Sequence, residues 1–294
     1  MKKFSNRALN MHYSPIRKLV PYIDEAKRNG VKVYQLHIGQ PDVETPDTFF
    51  EGLNNYKEKI VKYTNSAGII ELRESFSKSY KKVEINLLPE EILVTQGGSE
   101  AIQITLQTLC NPGDEVLVPE PYYTNYDSFL RIADAKLVPI ETSIENHYHL
   151  PEKEEIEKLI TPKTKAIVLS FPNNPTGSIL SYKELEEIAK VCIEKDLFVL
   201  SDEIYCELTY AGDHASIIQV PGMKERTILI NGFSKSYAMT GWRLGYACGP
   251  EKIIEQILPI DKDKVQEGQR YCDQLGKPPG SLGKLETIYA RLHA

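Results

Sequence analysis

From Glu91 onward, short apolar runs rich in β-branched residues alternate with stretches of helical periodicity, and this alternation constrains the fold more than any other feature of the 294 residues. The runs are Ile92–Thr95, Glu115–Pro119, Lys136–Ile140, Ala166–Ser170, Leu197–Ser201, Thr227–Ile230 and Leu244–Cys248. Amphipathic segments such as Ser99–Leu109 and Tyr182–Glu194 lie between them, with apolar residues recurring at helical spacing. Runs like AIVLSF and LFVLSD are apolar without strict alternation, which is how strands buried on both faces read. The pattern predicts an α/β fold with a seven-stranded, mainly parallel sheet flanked by helices.

The first 90 residues read differently. A helix is predicted from Pro15 to Asn29, stopped by Gly30, followed by the turn-rich Gly39-Gln40-Pro41-Asp42 and a second helix after Gly68. Beyond Ile257 the pattern breaks near Pro259, and Asp261-Lys262-Asp263-Lys264 is a solvated charge run. Further on, Pro278 and Pro279 between Gly276 and Gly280 exclude a helix interior or a central strand. The expected division is an N-terminal arm with part of a small domain at 1–40, a large domain at 41–258, and a helix-and-loop tail at 259–294.

Composition limits the function classes. Thirty-five Lys and Arg against 41 Asp and Glu give a net charge of −6, so there is no basic excess to neutralise nucleic-acid or membrane phosphates. The five cysteines, Cys110, Cys192, Cys206, Cys248 and Cys272, form no C-x-x-C pair, which argues against a disulfide framework or zinc site. No apolar h-region follows the basic N-terminus, and no apolar run has the length of a membrane span. A soluble, cytoplasmic protein is expected.

Chemistry concentrates just past the carboxyl ends of the strand-like runs, where open α/β sheets place ligands. Lys235, in Ser234-Lys235-Ser236-Tyr237-Ala238-Met239-Thr240-Gly241-Trp242-Arg243, follows the run Thr227–Ile230. A desolvated lysine amine with a cation nearby has a lowered pKa and condenses with aldehydes, and Arg243 offers a bidentate anion grip. Asp202-Glu203-Ile204-Tyr205 ends the run LFVLS, where an acidic residue is either a helix N-cap or a partner for a buried cation. Phe171-Pro172-Asn173-Asn174-Pro175-Thr176-Gly177 follows AIVLS and reads as a turn on its own. Gln96-Gly97-Gly98-Ser99 opens a helix, a start that serves equally as a plain cap or as an anion site. Pro121-Tyr122-Tyr123 follows EVLVPE.

Together these motifs resemble the class I aminotransferases, fold-type I enzymes dependent on pyridoxal 5'-phosphate, from about Met11 to Ile257. The resemblance implies that Lys235 holds the cofactor as a Schiff base and acts as the catalytic base and acid. It further implies that Asp202 pairs with the pyridine nitrogen, and that Tyr205 and Asn174 hydrogen-bond the phenolic oxygen. On the same resemblance, Arg243, Gly98 and Ser99 are expected to grip the phosphate, and Tyr123 to stack on the ring. Asn174 and the backbone of Gly39, in HIGQPD, lie near the substrate carboxylate. Tyr63, in YTNSAG, reaches a neighbour's phosphate, which implies a homodimer. The implied substrates are an L-amino acid and a 2-oxo acid.

Departures also matter. Many class I aminotransferases carry a phosphate-binding serine three residues before the lysine, where this chain has Gly232; Ser234 either substitutes or caps a turn. His147 and His149 form an H-x-H pair in a polar turn without a carboxylate at ligand spacing, and are expected to be surface residues rather than metal ligands. Class I aminotransferases continue well past the point reached at Ile257, with an arginine that clamps the substrate carboxylate. Residues from about 262 to 294 instead resemble the N-terminus of nicotinate-nucleotide–dimethylbenzimidazole phosphoribosyltransferase. Two alternatives to transamination therefore stand: a pyridoxal-phosphate decarboxylase of cobalamin assembly, and a cofactor-binding chain impaired in catalysis.

Overall fold

The structure, a computed structural model, describes residues 4–9, 11, 14–57, 59–60, 63–210 and 212–260. The tail from 261 onward, with the phosphoribosyltransferase resemblance, lies outside the described residues.

Seven strands form where the apolar runs predict them: β1 (Ile92–Thr95), β2 (Glu115–Glu120), β3 (Lys136–Glu141), β4 (Thr164–Ser170), β5 (Phe198–Asp202), β6 (Thr227–Gly232) and β7 (Gly245–Cys248). They make one sheet in the order β1-β7-β6-β5-β4-β2-β3. All neighbours are parallel except that β7 runs antiparallel to both β1 and β6. The carboxyl ends of the other six strands therefore share one edge of the sheet, and β7 starts there.

The helices are α1 (Asn6–Leu9), α2 (Val20–Arg28), α3 (Asp47–Asn55), α4 (Ile70–Lys82), α5 (Gly98–Leu109), α6 (Asn125–Ile132), α7 (Lys153–Lys158), α8 (Tyr182–Glu194) and α9 (Glu251–Ile257). Successive strand residues face opposite sides, so each strand feeds two cores. Leu93, Val116, Val168, Leu200, Ile230 and Ala247 pack under α5, α6 and α9. On the other side, Ile92, Val94, Leu229 and Tyr246 meet α4, while Ile167, Leu169 and Val199 meet α8. Burying one such aliphatic side chain contributes about 1.5–3 kcal/mol, which is why the apolar runs dictate the sheet. The start of α8 is set locally: the Ser181 hydroxyl accepts from the Glu184 N–H at 3.3 Å, and the Ser181 N–H donates to Glu184 Oε2 at 2.8 Å.

Two expectations for the N-terminal third change. The helix expected over Pro15–Asn29 is a 3-10 turn at Arg17–Leu19 followed by α2, and none of its residues is buried. The helix α3 went unpredicted because DTFFEGLNN has low intrinsic helix preference. Tertiary packing holds it instead: Phe49 meets the Trp242 ring edge-on at 4.4 Å between centroids. No helix among the described residues is long and apolar enough to cross a membrane.

Candidate active site

The shared edge of the sheet collects the motif residues. Gly98 and Ser99 follow β1, Tyr123 follows β2, Asn174 follows β4, Asp202 ends β5 with Tyr205 just beyond, Lys235 follows β6, and Arg243 precedes β7. Gly39 arrives from far away in sequence. The Thr45 hydroxyl donates to the Ala238 carbonyl at 2.8 Å, and with the Phe49–Trp242 contact it docks the 39–55 segment onto the loop that carries Lys235. The Lys235 amine donates to the Gly39 carbonyl and stands 5.6 Å from the centre of the Tyr205 ring. Burial, and then the Arg243 charge, lower its pKa from the usual lysine range. Such an amine sheds its proton and becomes nucleophilic more readily than a solvated one.

Asp202 is 5% exposed, and its Oδ2 accepts from the Tyr126 hydroxyl at 2.5 Å. Its carboxyl pKa is pushed up to about 6, chiefly by burial. Glu203 adds to the rise, while the bonds from Tyr126 and the Ile204 N–H oppose it. A carboxylate held this way favours a cationic partner. Tyr126 is fully buried in α6 and was not read from the sequence as a site residue. Tyr123 sets its ring edge-on to Tyr126 at 5.8 Å, and its hydroxyl accepts from Asn125 Nδ2 at 2.6 Å. Ser99 also bonds to the Tyr123 hydroxyl. The Tyr205 hydroxyl accepts from Asn174 Nδ2 at 3.4 Å. The Tyr205 phenol pKa is raised first by burial and then by the Asp202 charge.

A cradle for an anion sits beside these groups. Gly97 has φ +82°, and a Cβ there would stand 2.6 Å from Arg243 Nη2. Gly245 allows β7 to press on the same turn: a Cβ on it would lie 2.4 Å from the Gly97 carbonyl carbon. The first-turn N–H groups of α5, at Gly98 and Ser99, have no acceptor within the helix by helical geometry. Gly97, just before them, lies against the Arg243 guanidinium, and guanidinium plus helix start together favour a phosphate. Arg243 adopts a left-handed backbone (φ 53°), and its Nη1 donates to the Thr240 carbonyl at 3.0 Å. Neither Gly97 nor Gly245 was singled out from sequence, since each close approach joins residues distant in the chain.

Two positions give different answers from the rest. A side chain at 232 would meet the Leu244 carbonyl oxygen at 2.8 Å, so a serine there is sterically opposed, and Ser234 is itself buried. Tyr63 is 84% exposed, so nothing described in this chain covers its ring. His149 lies on the surface, and its Nδ1 is 2.6 Å from Glu184 Oε1, a carboxylate distant in sequence that the spacing did not reveal. Among the described residues, no group of three or more His, Cys, Asp and Glu is arranged to hold a metal ion.

The residues present fit pyridoxal 5'-phosphate: an amine of lowered pKa for its aldehyde, a buried carboxylate for its ring nitrogen, and a glycine-lined cradle for its phosphate. With the seven-stranded sheet, this edge has the architecture of the fold-type I pyridoxal-phosphate-dependent transferases. The chain belongs to the family "Aminotransferase class I and II", whose profile matches residues 31–263. It is 39% identical over 243 residues to the aspartate/prephenate aminotransferase of Thermus thermophilus, covering 82% of this chain and 62% of that protein. It is 40% identical over 240 residues to the aspartate aminotransferase of Bacillus subtilis, covering 80% of this chain and 61% of that one. The chain thus spans about three fifths of the length of these two relatives. Among solved structures, Thermus thermophilus aspartate aminotransferase with maleate superposes with a TM-score of 0.88 at 33% identity, covering all of this chain and 76% of the other. An aromatic aminotransferase from Pyrococcus horikoshii gives 0.76 at 36% identity over 85% of this chain and 69% of the other.

Proposed function

We propose that this chain binds pyridoxal 5'-phosphate and transfers an amino group from an L-amino acid to a 2-oxo acid. The observation that carries the reading is the lowered-pKa amine of Lys235 at the same sheet edge as the buried Asp202 carboxylate. When bound, the cofactor supplies an electron sink for negative charge developing at the substrate α-carbon.

The protein residues do the rest. Lys235 Nζ holds the aldehyde at rest and, once released, is the base that takes the α-proton and the acid that returns it. Asp202 keeps a proton on the ring nitrogen by charge pairing, and Tyr126 orients that carboxylate. Tyr205 and Asn174, hydrogen-bonded to each other, would hydrogen-bond the phenolic oxygen. Arg243, Gly98 and Ser99 would hold the phosphate, and Tyr123 would offer its ring to the pyridine. Asn174 and the Gly39 backbone receive the substrate carboxylate. We assign Tyr63 to the phosphate of a second copy in a homodimer, for which its 84% exposure leaves it available. Relatives named aspartate aminotransferases make L-aspartate the first donor to test.

Reconstitution with pyridoxal 5'-phosphate should give a visible absorbance band that L-aspartate bleaches and 2-oxoglutarate restores. Lys235→Ala should lack the band of the parent. A parent chain that stays colourless at saturating cofactor refutes the binding reading. A coloured chain that releases carbon dioxide instead of a 2-oxo acid refutes transamination. Sedimentation should give twice the chain mass, and a monomer with full activity refutes the role assigned to Tyr63.

A further inference from the structure

Asp202 and Glu203 are consecutive carboxylates at the end of β5, and the alternation of the strand sends them to opposite faces of the sheet. Asp202 meets Tyr126 of α6 on one face. On the other, the Glu203 side chain is buried, and its carboxylate joins three separate groups. Its Oε1 accepts from the hydroxyls of Ser201 at 2.8 Å and Ser216 at 2.5 Å, and its Oε2 is 3.0 Å from His214 Nε2. None of the residues assigned above to cofactor or substrate takes part in these contacts.

Each end of this clamp is rooted in the fold. Ser201 lies within β5, in register with Leu229 of β6. The Ser216 N–H donates to Gln219 Oε1 at 3.0 Å, and Gln219 Nε2 donates in turn to the Val83 carbonyl, just past α4, at 2.9 Å. Ile217 and Ile218, next to Ser216, are buried in the apolar cores on this side of the sheet. The Glu203 backbone is held as well: its N–H donates to the Ile230 carbonyl at 2.9 Å, which carries the β5–β6 ladder one residue past Asp202. The next amide, that of Ile204, donates to Asp202 Oδ1 at 3.4 Å, so the aim of the Asp202 carboxylate depends on the chain just after it. Apolar packing does not hold this back face, because a cavity of about 340 Å³ is lined by Glu203, His214 and Ser216. A void offers no atoms to press against, which leaves the hydrogen bonds to fix the backbone. A buried carboxylate is moreover costly unless its lone pairs are met, so a residue that served packing alone would be apolar. We propose that Glu203 is a positioning residue, fixing from the back of the sheet the strand end that carries Asp202. The proposal rests on the role given to Asp202 above.

The test is a double-mutant cycle on the affinity of the full chain for pyridoxal 5'-phosphate. Glu203→Ala should weaken binding about fivefold in the parent and less than about twofold in an Asp202→Asn chain, where the charge to be positioned is gone. Glu203→Gln keeps an acceptor oxygen for both hydroxyls and should bind within about twofold of the parent. Equal losses in the two backgrounds, or a Glu203→Gln chain as weak as Glu203→Ala, overturn the proposal. Should Glu203→Ala fail to fold, Glu203→Asp takes its place, because it keeps the charge while its shorter reach gives up Ser216 and His214; the same losses are expected and the same equality overturns. Amide hydrogen exchange in the cofactor-free chain separates failure of this proposal from failure of the function above. Exchange at Glu203 and Ile204 should rise at least about tenfold in the Ala or Asp variant, with Val168 of β4 unchanged. No rise overturns the positioning role whether or not the chain binds the cofactor. A rise in a chain whose parent binds none supports the positioning role and refutes the function.

Discussion

Asp202→Asn should stabilise the cofactor-free chain while weakening its hold on pyridoxal phosphate. The buried carboxyl has its pKa raised from 3.8 to about 6. Between those values the native state keeps a proton that the unfolded state has lost, so folding stability falls as pH rises through that window. At about 1.4 kcal/mol per pH unit, the gap comes to about 3 kcal/mol of penalty carried by the ionised Asp202 at pH 7.5. Asparagine is nearly isosteric, still accepts from Tyr126, and has no charge to desolvate. Urea unfolding of the cofactor-free proteins should therefore show Asp202→Asn more stable by up to about 3 kcal/mol at pH 7.5, with the difference shrinking to near zero by pH 4. The same variant should bind pyridoxal phosphate at least about tenfold more weakly, because the cationic ring nitrogen loses its partner. A variant that is neutral or less stable at pH 7.5, or a difference that persists to pH 4, would refute the burial argument.

Four other substitutions probe separate parts of the fold. Tyr126→Phe removes a charge-assisted donor from Asp202 and should cost about 1.5–3 kcal/mol at pH 7.5, and less at pH 4.5 where the carboxyl is neutral; urea unfolding at both pH values measures this. Gly97→Ala should cost about 1–3 kcal/mol from its φ of +82° and displace the flexible Arg243 guanidinium, read as lower cofactor affinity in a protein that still folds. Gly245→Ala should be worse, more than about 3 kcal/mol by thermal unfolding or insoluble on expression, because the added Cβ meets the backbone of Gly97 and Gly98, which the β1–β7 ladder holds in place. Ser181→Ala should lose about 1 kcal/mol in urea unfolding through the broken capping box of α8.

The parts of this protein legible in its sequence are those whose cause is local. The strands announce themselves because both faces are buried, so Val199 and Leu200 are both apolar though they serve different cores. Lys235 and Arg243 stand in one continuous motif at a strand end. Tyr126 was illegible because its partner Asp202 is 76 residues away, and a tyrosine in the first turn of a helix reads as core. The close approach of Gly97 to Gly245 likewise joins the turn after β1 to the start of the neighbouring β7, distant in sequence. Asp202 and Glu203 look equivalent in a list of residues. Only the pleat separates a carboxylate bound by Tyr126 from one bound by Ser201, Ser216 and His214.

The reversed strand β7 has a consequence for how the site assembles in time. Because β6 and β7 are antiparallel neighbours, Lys235 and Arg243 belong to one hairpin connection, stapled by the Phe233 N–H to the Leu244 carbonyl and the Met239 N–H to the Phe233 carbonyl. Closing so short a loop carries a low entropy cost and is fast, on the order of 10–100 ns for about ten residues. Amine and anion grip can thus come together as a unit early in folding. Gly39 and Asp202 are recruited only by contacts of long sequence separation, which form slowly. Lengthening the 236–241 stretch would therefore leave the sheet intact yet detach the guanidinium from the lysine, which makes that stretch the natural place to separate anchoring of the cofactor from its chemistry.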